Sequence, residues 1–238
     1  MKLKQYIGRH RTNLVTYGVV ILGFVIMQML SASHMLSSSV EGFLVPICAY
    51  VVLAVSLNLV VGISGELSLG HAGFMGVGAF TGIIVAALLK TVIASKVLLL
   101  IVAIVCGGVM AGLFGVVIGL PVMRLRGDYL AIVTLAFGEI LKNLINNMYV
   151  GSDANGVHFV IGTEKPLLAE GGSMVINGPM GATGVTKLAT FPIGFALILV
   201  TLFVVLNLIN SREGRAIKAV RDNRIAAESV GINVTAFR

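Results

Sequence analysis

Charge is scarce in this chain. Asp, Glu, Lys and Arg make up 11% of its 238 residues, and only 10 of them are acidic. A soluble domain carries about 25% charged residues, and no single core of this size would hide a composition that is 57% hydrophobic. Cysteine is nearly absent too. Cys48 and Cys106 stand alone in different apolar runs without metal-ligand spacing, so they read as packing residues. The four histidines, His10, His34, His71 and His158, are scattered over separate segments, which suggests neither a zinc site nor a nucleophilic triad. A Gly-x-x-x-x-Gly-Lys-Ser/Thr phosphate loop is missing, and the glycines from Gly73 to Gly78 lack the lysine that a nucleotide phosphate requires. An intramembrane enzyme is therefore the weakest reading, and any chemical energy must come from another chain.

Long apolar runs are what the chain has instead. Crossing a hydrocarbon core of about 30 Å takes roughly 20 residues. Leu14 to Leu30, Phe43 to Val61, Gly73 to Leu89, Val97 to Leu120 and Phe191 to Ile209 meet that need, and Tyr129 to Met148 is a sixth, more polar run of the right length. The expected fold is all-α: a polytopic helical membrane protein of about six spans. The formal charge of +7 resembles a nucleic-acid signal until the charges are placed. With alternating spans, Lys2, Lys4, Arg9, Arg11, Arg124, Arg126, Arg212, Arg215, Lys218, Arg221, Arg224 and Arg238 share one side, while Lys90, Lys96, Lys165 and Lys187 take the other. The positive-inside rule then puts both termini in the cytoplasm, as an even number of spans also requires. Ser31-Ala32-Ser33 resembles a signal cleavage site, but Leu14 to Leu30 exceeds the usual apolar core of a signal peptide and favours an uncleaved anchor.

The most informative stretch lies between the second and third runs. From Leu57 to Phe80, apolar sequence is interrupted by Asn58, Gly62, Ser64, Gly65, Glu66, Ser68, Gly70, His71 and Gly73. Backbone released from helical pairing, and side chains of this kind, persist at membrane depth only beside protein or a water-filled cavity. An interrupted helix near residues 62–73, bordering a translocation path, is the expectation.

A second polar feature sits in the sixth run. Tyr129 and Tyr149 bracket it at a separation that spans about 30 Å of helix, as interfacial anchors would. Glu139 falls near its middle, Lys142 follows at i+3, and Asn143 and Asn146 at i+4 and i+7 complete a polar face. Such a face should point into the bundle. It is either a functional group or a Glu–Lys lock between helices, and both readings stand. Gly78, Gly82, Gly107, Gly108, Gly112, Gly115 and Gly119 lie within spans and read as close-packing positions. Val150 to Thr190, rich in Gly, Asn and Ser, suits turns and short strands on the outer side.

Beyond Ser211 the chain turns polar and helix-prone. Arg221 and Arg224 give it a basic face, Ile217 and Val220 an apolar stripe, and Ala226-Ala227-Glu228 leads to a stop at Gly231. A basic helix here can lie on anionic lipid, but the Ala, Glu and Gly ending favours a docking surface.

Three blocks together, Leu57 to Phe80, Leu125 to Ile140 (Leu-Arg-Gly-Asp-Tyr-Leu-Ala-Ile-Val-Thr-Leu-Ala-Phe-Gly-Glu-Ile) and Gly214 to Val234, resemble the permease subunits of branched-chain amino acid ABC transporters. The resemblance implies a pathway formed with a second homologous permease, two cytoplasmic ATPase subunits, an extracytoplasmic substrate-binding protein that delivers leucine, isoleucine or valine, and a bacterial or archaeal plasma membrane. It implies no cofactor in this chain, ATP being used by the partner subunits. It also implies that residues 211–238 form the cytoplasmic loop that docks on the ATPase, with Arg212, Gly214, Arg215, Arg221, Ala226, Ala227, Glu228 and Gly231 as coupling residues. Residues 1–238 are then one permease domain, expected to be incomplete at the C-terminus because family members continue with further spans. Rival readings are an ABC permease for urea, amides or another small solute, an ion-coupled carrier or channel using Glu139 and His71, and a non-transporting scaffold.

Overall fold

A computed structural model describes residues 2–33, 36–90, 92–122, 125, 127–153, 156–162, 166, 172–183, 185 and 187–234, with side chains from residue 13 onward. His34, Arg124, Arg126, Lys165 and Arg238, weighed above, lie outside the described residues, as do the side chains of Lys2, Lys4, Arg9, His10 and Arg11. Eight helices are described: α1 (Lys2–Ala32), α2 (Ser38–Asn58), α3 (His71–Leu89), α4 (Lys96–Val122), α5 (Asp128–Asn146), α6 (Phe191–Asn210), α7 (Arg212–Asp222) and α8 (Arg224–Ser229). Five segments are long and apolar enough to cross a membrane: Asn13–Ala32, Ser38–Ser64, His71–Leu89, Lys96–Val122 and Phe191–Asn210. Helix α5, 19 residues long, holds the more polar sixth run and is not among these five. It ends three residues before Tyr149, which lies in a strand. Tyr149 is therefore not the helix-end anchor that its spacing predicts.

The chain forms two compact units, residues 1–64 with 189–238, and residues 65–188. The first holds α1, α2, α6, α7 and α8. Helix α2 packs on α6 where Gly194 has no room for a Cβ, which would stand 2.9 Å from that of Cys48. Buried Cys48, Ile198 and Leu202 form the core there. Phe24 of α1 stacks on Phe191 at 5.2 Å between ring centroids, within the range that favours aromatic pairs, and lies closer still to Phe195, at 4.0 Å. After Asn58 the chain continues through a single π-helical segment, Leu59–Ser64, a form that appears mostly as short bulges at functional sites.

In the second unit α3 lies along α4 through glycine contacts. A Cβ on Gly107 would collide with the carbonyl oxygen of Gly78, and one on Gly82 would stand 3.3 Å from that of Ala103. Backbone-to-backbone approach of this kind is what small residues permit where lipid supplies no hydrophobic drive. Gly108, Gly112, Gly115 and Gly119 differ from the packing role expected of them: nothing lies within 4 Å of the Cβ each would carry. The segment after α5 forms short strands, as its composition predicts. β1 (Met148–Asp153), β2 (Gly156–Ile161) and β3 (Ser173–Asn177) make an antiparallel sheet in the order β2-β1-β3. Val150, Val175 and Ile176 bury its inner face against Phe80, Ile83, Ile84 and Ala87 of α3.

Candidate functional site

The expected interruption is present and shorter than predicted. Helical backbone stops at Ser64 and resumes at His71. Gly65 opens the gap with φ at 76°, a left-handed conformation that ends helices and that glycine adopts without a Cβ penalty. Within the second unit the gap docks on α5. The Leu69 N–H donates to Thr134 Oγ1 at 3.1 Å, and that hydroxyl donates to the Ala131 carbonyl at 3.0 Å. Gly70 is buried so tightly that a Cβ would collide with the Thr134 carbonyl oxygen, and Gly138 faces it with a Cβ position 3.3 Å from the Gly70 Cα. Gly70 has φ −88° and ψ 4°, so space rather than backbone conformation demands glycine here.

Directly beyond this contact a cavity of about 370 Å³ opens between α3 and α5. Gly73 and Gly76 supply a bare wall on α3, and Leu69, Phe80, Leu135 and Ile145 supply apolar surface. Glu139, Lys142 and Asn146 supply the polar side. Lys142 Nζ stands 3.2 Å from Glu139 Oε2 and 3.4 Å from Oε1. The side chains are 63% and 56% exposed respectively, so within this unit the pair faces open space. The turn Gly178–Met180 closes the end of the cavity near Asn146. Gly178 has φ 52°, and a Cβ there would stand 2.8 Å from the Tyr149 ring and 2.9 Å from the Asn146 carbonyl oxygen. Of the predicted polar face, Glu139, Lys142 and Asn146 share this space, whereas Asn143 is exposed and does not line it. Of the predicted pathway residues in this unit, Gly73 lines the cavity and Gly70 seats the segment beside it. Ser68 and His71 are half-buried and do not line it, and neither does Gly65.

Asn58, Gly62 and Ser64 belong to the first unit. The Asn58 amide packs on Gly62, where a Cβ would collide with Asn58 Oδ1, while Ser64 is half-buried. The last carbonyls of any helix lack intrahelical donors, and Arg221 Nη1 of α7 donates to that of Gly62 at 2.8 Å. The predicted continuous helix from Arg212 to Gly231 is two helices, broken at Asn223. The Asn223 Oδ1 accepts from the Ala226 N–H at 3.0 Å and caps α8, because an Asn side chain competes well at a cap. Ser211 caps α7 by accepting from the Gly214 N–H at 3.1 Å. Buried Gly214 lets the turn from α6 close, since a Cβ would collide with the Leu208 carbonyl oxygen. Backbone hydrogen bonding and Ser211 hold the exposed Glu213 carboxyl below the usual carboxylate range. Arg212 and Arg215 are exposed, and Arg215 Nη1 donates to the Asn210 carbonyl at 3.1 Å.

Ala227 is 3% exposed, and Gly231 ends the segment with φ 83°. Ala226 and Glu228 are exposed, with Glu228 Oε1 3.8 Å from Arg224 Nε. Two residues escaped the sequence reading: Ile225 and Val230 are 81% and 75% exposed, a pair of bare apolar side chains flanking α8. An apolar residue on each side of Ala226-Ala227-Glu228 was the available signal. Thr134, Gly138 and Gly178 also escaped it, because only tertiary contact reveals them.

A family profile for the branched-chain amino acid transport system permease component matches residues 39–238. The high-affinity branched-chain amino acid transport system permease protein LivM of Escherichia coli (strain K12) is 36% identical over 206 residues, covering 79% of this chain and 46% of that protein. The protein of the same name from Salmonella typhimurium (strain LT2) is 34% identical over 202 residues, covering 79% and 45%. The chain thus spans about half the length of the curated relatives it matches. No solved structure matches it.

Proposed function

The chain belongs to the family of branched-chain amino acid transport permeases, and from that membership we propose that it is a membrane-spanning subunit of an ATP-driven importer for branched-chain amino acids. It forms the pathway with a second, homologous permease. Two cytoplasmic ATPase subunits bind its cytoplasmic helices and supply the energy, since the sequence holds no phosphate loop. An extracytoplasmic binding protein delivers the amino acid, and both termini face the cytoplasm.

The observation that carries this reading is the helix pair α7–α8. It directly follows an apolar span, its internal turns are closed by Ser211, Gly214 and Asn223, and it presents Ile225 and Val230 bare. Lipid or a protein can cover bare apolar side chains of this kind, and the Ala, Glu and Gly ending of the segment favours a protein. A docking helix presents them to a protein, and a central apolar anchor with a polar rim is how stable interfaces are built. Arg221 joins the pair to the last turn before the interruption, so a push on α7–α8 reaches the Gly62 backbone directly.

The test is reconstitution of the full-length permeases with the ATPases in proteoliposomes. Loaded binding protein should stimulate ATP hydrolysis and leucine uptake together. Hydrolysis and uptake that proceed unchanged without this chain would overturn the assignment.

A further inference from the structure

The cavity between α3 and α5 combines features that fit one chemical class of ligand. It carries one full positive and one full negative charge on adjacent turns of a single helix, with Lys142 Nζ 3.2 Å from Glu139 Oε2. Leu69 before α3 and Phe80 on α3, with Ile145 one turn on from Lys142 along α5 itself, supply apolar side chains around a space of about 370 Å³. Pockets for small molecules begin at roughly 300 Å³ and place a few polar groups against an apolar wall. In an α-amino acid a single carbon separates ammonium from carboxylate, so its two charges are as close together as those of Glu139 and Lys142.

The geometry points to a zwitterion site: the Glu139 carboxylate receives the ammonium of an aliphatic amino acid, the Lys142 ammonium receives its carboxylate, and the aliphatic side chain lies against Leu69, Phe80 and Ile145. This rests on the reading of the chain as an amino acid permease. It adds the residues that hold the cargo inside the permease itself.

Three physical points support the assignment. A Glu–Lys pair this exposed is weak, so opening it opposes binding little, whereas the inserted zwitterion replaces one ionic contact by two. Charge neutrality is kept throughout, which matters in a span because an uncompensated charge at membrane depth is costly. Gly73 and Gly76, where side chains would narrow the space toward Leu141 and Ile145, leave the wall bare where the ligand must pass. A solute without charges, such as urea, would hydrogen-bond to the pair but could not replace its ionic contact with two.

Occupancy is read in the assembled importer with a single cysteine at Ala72, an exposed residue that lines the cavity, in a Cys48→Ala/Cys106→Ala background. L-leucine should slow modification of Ala72→Cys by a small water-soluble methanethiosulfonate. Its single-charge analogues, 4-methylpentanoate and 3-methylbutylamine, should not. Glu139→Gln and Lys142→Gln should each raise the leucine concentration needed for protection about ten- to a hundredfold, the usual effect of removing a charged hydrogen-bond partner. If those variants fail to assemble, the analogue pattern with both charges intact decides alone. Equal protection by the analogues, or none by leucine in vesicles that take up leucine, overturns the zwitterion site and leaves the permease reading standing. No leucine uptake by the complete importer overturns the permease reading, and the site with it.

Discussion

Gly70→Ala tests how the interrupted segment is seated. The backbone at Gly70, φ −88° and ψ 4°, accommodates alanine without strain, so any effect must come from space. That space is absent: the new Cβ would overlap the Thr134 carbonyl oxygen and stand 3.0 Å from its carbon, with Gly138 on the same contact. Backbone cannot escape by changing rotamer, so α5 and the gap segment must separate. Overpacking costs about 1–3 kcal/mol, and the Leu69 to Thr134 hydrogen bond that separation breaks adds about 1 kcal/mol. The sum, about 2–4 kcal/mol, corresponds to a fall in melting temperature of roughly 5–15 °C for a chain of this length. Gly112→Ala is the matched control, since nothing lies within 4 Å of its Cβ position and a compatible Gly-to-Ala change stabilises by about 0.4–1 kcal/mol. The folded fraction after heating the detergent-purified chain, measured by size exclusion, gives both values. Equal melting temperatures for the two variants would refute the argument that a glycine-only contact positions the gap.

The helix pair α7–α8 yields four further expectations. Ala227→Pro removes the Ala227 N–H bond to Asn223 and should cost about 3 kcal/mol or more, uncoupling ATP hydrolysis from uptake while the spans stay inserted; normal coupling would reduce α7–α8 to a surface helix. Ile225→Glu should weaken ATPase association by about 2 kcal/mol, as loss of an interface anchor does, with the melting temperature of the free chain unchanged; unaltered co-purification would remove Ile225 from the interface. Arg221→Gln loses the bond to the Gly62 carbonyl, worth about 1 kcal/mol after allowance for its partial exposure, and hydrogen exchange should accelerate over residues 59–66. For Glu213 the carboxyl pKa is lowered in the fold, so its stabilisation of the start of α7 is complete above the usual carboxylate value of about 4.3 and is lost as pH falls through the lowered one. A spin label at Lys218→Cys should report loosening only in acid, and Glu213→Gln should flatten that profile.

What could be read from the sequence depended on whether the cause was local. Spans were legible because a bilayer sets a minimum length for every apolar run that crosses it. The gap after Ser64 was legible because glycine and polar residues cannot continue a lipid-facing helix, although its form, a π-helical turn before and a docked coil after, was not. The strands after α5 followed from turn-forming composition. The break at Asn223 was missed because Arg212 to Gly231 keeps helical periodicity throughout, and the side chain that stops it is of a type that also occurs inside helices. The Glu139–Lys142 pairing followed from i+3 spacing. The pair's exposure to a cavity did not, because Gly73 and Gly76 create that space from another helix.

Glycine shows where local reasoning ends. Gly107 and Gly108 are adjacent and both lie inside α4, yet a Cβ on Gly107 collides with α3 and one on Gly108 meets nothing within 4 Å. One residue turns the face of a helix by about 100°, enough to carry a position from a backbone contact to open space. Small residues in a span therefore establish that close approach is possible. Which of them are approached is a property of the partner helix: Gly78 and Ala103 define the α3–α4 seam, and Gly70 with Gly138 defines the α3–α5 seam. The cavity lies beyond the second seam, so its width depends on residues that carry no chemistry of their own, and its charges depend on residues whose spacing announced them. A variant that alters binding at Glu139 or Lys142 without shifting the melting temperature, and one that shifts both at Gly70, would separate these two contributions in the same protein.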